Sequence, residues 1–306
     1  MQKTNNERLQ EIAVAMQELN ARLVYVGGAM SGAYATDPIA PEPRTTTDVD
    51  CVVDTNTYSE HAAFEELLRE KHFQNDSDSV PPIICRWVYN GEKVDVMSMN
   101  EHSLSFGNRW YKLGFEHREF YKLPSGQIIY RLPVTYYLAT KIDTLNSRGG
   151  NDWRGAKDFE DIVYVLNYCV EILDNFKSET GIVKNYLIWQ FGDMLRRPNL
   201  TEEIECAISY DEIERTDIIL ETMRTIASCE PQTLYIQFVS DLHLEFPDNR
   251  AWLAAHPFLE VTGDILLIAG DTAYLDLPDS RRDTYSAYSF WDWASRNYRQ
   301  VIVCLN

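Results

Sequence analysis

The chain has 306 residues, with 28 Lys and Arg against 47 Asp and Glu, for a formal charge of −19 at pH 7. Such an excess of acid excludes broad electrostatic capture of nucleic acid, which works through Lys and Arg displacing counterions from phosphates. Hydrophobic residues make up 45% and aromatics 12%, enough for two globular cores, and no stretch approaches the roughly 20 apolar residues of a membrane span.

In chain order, residues 5 to 20 carry Leu9, Ile12, Ala13, Met16 and Leu19 at the spacing of an amphipathic helix. Leu23-Val24-Tyr25-Val26 reads as a buried strand that ends at Gly27-Gly28, with a helix after the glycine turn. A Pro-rich loop over 37 to 43 leads to a strand at 49 to 53, a helix at 59 to 71 and strands near 83 to 89 and 93 to 98. That order predicts an α/β fold, a mixed sheet with helices. Residues 107 to 131 set Arg109, Lys112, Arg118, Lys122 and Arg131 among Trp110, Tyr111, Phe115, Phe120 and Tyr121; we read them as a solvated hairpin rather than a nucleic-acid patch. Helices dominate from Thr135 to about Ala227. Glu230-Pro231-Gln232 then breaks the pattern and Leu234-Tyr235-Ile236-Gln237-Phe238-Val239 opens a new strand run, so a boundary is expected near 230. The division is 1–134, an α/β core; 135–230, a helical region completing it; and 231–306.

Met1-Gln2-Lys3-Thr4-Asn5-Asn6-Glu7 lacks the apolar region of a signal peptide, which predicts a cytoplasmic protein. Cys51, Cys85, Cys169, Cys206, Cys229 and Cys304 form no C-x-x-C pair and mostly sit in apolar patterns, as reduced buried thiols do, which speaks against zinc.

The chemistry-bearing residues begin at Thr47-Asp48-Val49-Asp50-Cys51-Val52-Val53. Alternate side chains of a strand share a face, so Asp48 and Asp50 point one way and Val49, Cys51 and Val53 enter a core. Asp95, in Lys93-Val94-Asp95-Val96-Met97, lies in a second alternating stretch that would set a third carboxylate beside them. Three such groups suit Mg²⁺ or Mn²⁺, hard cations that take carboxylate and substrate phosphate oxygens. Gly27 and Gly28 would let backbone N–H groups approach phosphates, with the Ser31 hydroxyl nearby and the next helix adding its positive end.

Gly-Gly, D-x-D and a later apolar-Asp-apolar strand, in that order, resemble the DNA polymerase β-like nucleotidyltransferases, and more closely the AbiEii type of toxin and abortive-infection proteins, over about residues 20 to 175. Downstream, Lys141 and Arg148 lie seven apart, on one face of a helix, and either clamp a triphosphate or form ion pairs with the acids that follow. Asp152, Asp158 and Asp161 match the family's D-x5-D-x2-D pattern and, by that resemblance, complete the active site. The chain departs from the family at Ala29, where a hydroxyl residue is common, and in a long loop holding Pro38, Pro41, Pro43 and Arg44. The resemblance implies a Mg-dependent enzyme with Asp48, Asp50 and Asp95 as metal ligands, Lys141 and Asp158 as further catalytic groups, and Gly27, Gly28, Ser31, Arg148 and Asp161 at the NTP. It also implies an acceptor among tRNA ends, proteins and small molecules, and an antitoxin as partner. The alternative is an NTP- and metal-binding module without turnover.

Beyond 233, Val239-Ser240-Asp241-Leu242-His243 and Ala269-Gly270-Asp271 each end an apolar strand, putting D-x-H and G-D at neighbouring strand ends, where α/β sheets bind ligands. This is similar to the opening third of a calcineurin-like metallophosphoesterase, a partial α/β sandwich in which Asp241, His243 and Asp271 correspond to metal ligands. That family continues into G-N-H-E and two further histidine motifs, whereas Val301-Ile302-Val303-Cys304-Leu305 runs to Asn306. The expectation is a vestigial site without phosphoesterase activity, or a truncated fusion whose ancestral activity was that one.

Overall fold

A computed structural model describes residues 3–55, 57–99, 108–231, 233–255, 259–273 and 287–304. Met1, Gln2, Gly107, Gln232, Leu305 and Asn306, which enter the expectations above, lie outside that set. The chain divides into two units, Met1–Glu179 with Gln190–Ser228, and Thr180–Trp189 with Cys229–Asn306.

In the first unit, α1 (Asn5–Met16) opens on a capping box: the Thr4 hydroxyl accepts from the Glu7 N–H and the Glu7 carboxylate accepts from the Thr4 N–H. The helix ends at Met16 rather than near 20. Gln17 takes a φ of 51°, and the Asn20 amide turns back onto the Ala13 and Gln17 carbonyls at 2.6 and 2.9 Å. A 3₁₀ turn over Gln17–Arg22 then delivers β1 (Leu23–Val26), buried at all four residues. After Gly27 comes another 3₁₀ turn, Gly28–Tyr34, in place of the expected α-helix. The long array of aligned peptide dipoles that the phosphate-cradle expectation invoked is therefore not provided.

β2 (Asp48–Val53) is followed by α2 (Tyr58–Glu70), β3 (Gln74–Asn75), β4 (Arg86–Tyr89) and β5 (Glu92–Ser98). β4 and β5 close at Asn90-Gly91, whose φ values of 50° and 83° suit the tight two-residue hairpin turn. α3 (Tyr111–Glu116), with Trp110 and Phe115 buried, precedes the hairpin β6 (Glu119–Lys122) and β7 (Ile128–Arg131). The seven strands form one mixed sheet in the order β3-β4-β5-β2-β1-β7-β6. β2 lies inside it, antiparallel to β1 and parallel to β5. This is the mixed α/β architecture the strand and helix pattern predicts. Helices follow where periodicity places them: α4 (Val134–Arg148), α5 (Lys157–Tyr168), α6 (Ile172–Ser178), α7 (Ile182–Leu195), of which the residues up to Trp189 belong to the second unit, α8 (Leu200–Ala207) and α9 (Thr216–Ala227).

In the second unit, β8 (Ile236–Ser240), β9 (Ile265–Ala269) and β10 (Gln300–Val303) form a parallel sheet with β9 central. With α10 (Pro247–Ala255) and α11 (Ala287–Asn297), it encloses a core of Leu244, Leu253, Leu266, Ile268, Phe290 and Tyr298. The described residues of this unit hold this one sheet and no second sheet of the expected sandwich. Among the described residues no helix is long and apolar enough to cross a membrane.

Candidate functional site

β2 carries Asp48 and Asp50 on one side and fully buried Val49, Cys51 and Val53 on the other. Asp95 stands opposite Asp50 in the parallel register of β5, so backbone pairing alone assembles the three carboxylates. Gly27 adjoins them with φ 72° and ψ −170°, a region essentially reserved for glycine, and a Cβ there would collide with the Asp50 carboxylate. Tyr137 of α4 holds the same turn, its hydroxyl donating to the Gly27 carbonyl at 3.2 Å. Burial first, and then the charges of Asp48 and Asp95, push the Asp50 carboxyl up to about 7, while Lys141 and Arg86 pull the other way.

Arg86 is a residue that the sequence reading did not select. Its Nε and Nη2 donate to the two oxygens of Asp95, each at 2.7 Å, and Nη2 also donates to Asp48 Oδ2 at 2.7 Å. The signal was present in the Asn90-Gly91 turn, because counting outward from it pairs Tyr89 with Glu92 and Arg86 with Asp95.

A second group of charges joins α4 to α5. The buried Lys141 lies 3.2 Å from Asp158 Oδ1 and 2.7 Å from Asp161 Oδ2. Arg44, from the long loop, donates through Nε and Nη2 to both oxygens of Asp161 at 2.9 and 2.7 Å. Arg148 reaches Asp158 at 2.9 Å with its side chain 70% exposed. Burial alone would lower the Lys141 pKa, but Asp161 and Asp158 outweigh it and hold the ammonium above its usual range. Lys141 and Arg148 thus both pair with these acids, and Arg148 is the member of the group turned to solvent. Asp152 pairs instead with Arg154 at 2.7 Å.

The glycines and Ser31 are placed differently from a phosphate cradle. At Gly28 a Cβ would meet the Arg44 guanidinium, so its bareness admits Arg44. Ser31 is fully buried and its hydroxyl donates to the Gly28 carbonyl at 2.8 Å, which leaves it without an exposed face.

The donor chemistry of Asp48, Asp50 and Asp95 suits a divalent cation: the oxygens are hard, and the negative charge of Asp48 and Asp95, which adds to burial in raising Asp50, is what such an ion offsets. As the side chains stand, however, no group of three His, Cys, Asp or Glu among the described residues is poised to hold a metal. Around Asp48 and Asp95 that position belongs to the Arg86 fork.

In the second unit, Asp241 and His243 follow β8 with φ values of 52° and 47°. The Asp241 N–H donates to the Ala269 carbonyl at 3.1 Å and the His243 N–H to the Asp271 carbonyl at 2.9 Å. The Asp271 N–H reaches Asp241 Oδ1 at 3.3 Å. These three residues thus meet at the carboxyl ends of β8 and β9. Glu245, which sequence reading passed over, pairs with His243 Nδ1 at 2.8 Å and with Asp271 and Asp241 raises the imidazole pKa.

No protein family and no curated protein matches the chain. Among solved structures it is similar to a STING-associated CdnE c-di-GMP synthase from Capnocytophaga granulosa, at 12% identity over 73% of this chain and 81% of that one, with a TM-score of 0.24. Values that low establish neither a common fold nor a common activity, so the two family resemblances stand on the motifs alone.

Proposed function

We propose that this chain is a divalent-metal-dependent nucleotidyltransferase that moves a nucleoside monophosphate from an NTP to an acceptor hydroxyl. The observation that supports it most is the register of Asp50 with Asp95 on adjacent parallel strands, with Asp48 on the same side and a glycine-only turn against Asp50. Mg²⁺ or Mn²⁺ at these acids supplies Lewis-acid polarisation of the α-phosphate and a lowered pKa at the attacking hydroxyl. Asp48 and Asp50 are assigned to hold it, and Asp95 to face the incoming hydroxyl. That oxygen bonds to the α-phosphorus as its proton passes to the Asp95 carboxylate, and the bond from the α-phosphorus to the bridging oxygen breaks to release pyrophosphate. Lys141 and Arg148 are assigned to the triphosphate charge, oriented by Asp158 and Asp161. The charge of −19 favours a protein or small-molecule acceptor over an RNA end.

The AbiEii resemblance extends the reading to a toxin with a neutralising partner, for which growth arrest on expression, relieved by Asp50→Ala, is the check. The pairing of Arg86 with Asp48 and Asp95 favours a second reading, a metal- and NTP-binding module without turnover. The test of both is transfer of label from each of four α-labelled NTPs, with Mg²⁺, into total cell RNA and separately into protein. Label dependent on Asp48 and Asp50, lost in the doubly substituted Asp48→Asn, Asp50→Asn protein, is the expected result. NTP and Mg²⁺ binding with no label transferred selects the module.

A further inference from the structure

Arg86 sits in β4 between Cys85 and Trp87, both buried, so its own side chain leaves the strand on the opposite side, toward the acids. Three hydrogen bonds of 2.7 Å, two to Asp95 and one to Asp48, hold its head, and the side chain is 12% exposed. Planar guanidinium on carboxylate is the strong, bidentate form of such a pair, and arginine keeps its charge at any working pH. None of these bonds goes to Asp50. The guanidinium therefore brings one positive charge to a set of three acids and takes both oxygens of one and one oxygen of another, the atoms a hard cation would ligate.

We propose that Arg86 is a displaceable internal counter-ion: it occupies Asp48 and Asp95 in the metal-free chain, must release both when a divalent cation enters, and thereby sets the metal affinity of the site. The inference rests on reading Asp48, Asp50 and Asp95 as the metal-binding acids. Two positive charges then replace one, but because the guanidinium competes for the same oxygens, its bonds raise the metal concentration at which the exchange goes forward. The metal-free chain is spared the repulsion of three bare carboxylates on neighbouring strands.

Mn²⁺ titration followed by the electron paramagnetic resonance of the free ion, without NTP, tests this on the full chain. The comparison covers the parent, Arg86→Gln, Arg86→Lys and Asp48→Asn, with thermal melts in EDTA and in Mn²⁺ alongside. Arg86→Gln is expected to bind Mn²⁺ at least tenfold more tightly, to melt lower in EDTA and to gain more from Mn²⁺ than the parent. Arg86→Lys, which keeps the charge and loses the fork, should fall between them. A purely structural arginine would leave the affinity unchanged or weaken it, and either result overturns the proposal. If Arg86→Gln and Arg86→Lys fold only with Mn²⁺ present, the exchange is supported; if they fold under neither condition, Arg86 is not displaceable and the proposal fails. Failure of the underlying reading looks different: the parent would bind no Mn²⁺ at any concentration, or Asp48→Asn would bind it as the parent does.

Discussion

Gly27 and Asp50 constrain one another atom by atom. The backbone of Gly27 lies where a side chain is strained by about 1–3 kcal/mol, and its missing Cβ is the space the Asp50 carboxylate uses. Gly27→Ala is therefore expected to lower stability by at least that amount and to push Asp50 out of line with Asp95. Thermal melts should show both, as a lower midpoint in EDTA and as loss of stabilisation by Mn²⁺; an unchanged response to Mn²⁺ would count against the placement. That Gly27-Gly28 forms a turn was legible in the sequence, because glycine after a buried strand is a local signal. What each glycine makes room for was not, since Asp50 and Arg44 arrive from other segments. Ser31 is a related case: hydroxyl chemistry is visible in a sequence, but its use by the Gly28 carbonyl depends on how the 3₁₀ turn folds back.

Between elements, period decides which residues share a face and register decides which of them meet. Alternation along 49 to 53 was enough to send Val49, Cys51 and Val53 inward, and the structure agrees. Across α4 and α5 the helix packing brings Asp158 and Asp161 onto the buried Lys141 as ion pairs. A pH effect follows from it. Burial alone would raise the Asp158 carboxyl, but Lys141 and then Arg148 outweigh burial and hold it below its ordinary range. With a lower pKa in the native state, the unfolded chain binds the proton first as pH falls. The pairing thus contributes stability above the unfolded value, about 4, and loses it as pH drops through the native value. Urea midpoints measured from about pH 6 to pH 3 should fall less steeply for Asp158→Asn than for the parent; equal slopes would refute the pairing. Arg86 shows the other side of register: once the Asn90-Gly91 turn is recognised, its meeting with Asp95 is arithmetic.

At the scale of the whole molecule there are two units, and the second has a buried cluster of its own. Phe290 is 1% exposed in the core of the second, and Phe290→Ala should cost about 3–5 kcal/mol there. Amide hydrogen exchange is expected to quicken along β8, β9 and β10 while β1, β2 and β5 keep their protection; equal loss in both sets would show one cooperative core. The sequence by itself determined the acidic balance, the mixed α/β order of elements, the helical run after Thr135, the strands that bear Asp48, Asp50 and Asp95, and those that lead into Asp241 and Asp271. All of these are local, set by backbone period, by turn residues or by composition. Beyond the hairpin pair of Arg86 with Asp95, only the tertiary structure decided which charge answers which. Arg44 reaches Asp161 across 117 positions and Arg86 reaches Asp48 across 38. Such partners are chosen by strand register and helix packing, where the desolvation of each buried charge has to be offset by an opposite one at hydrogen-bonding distance.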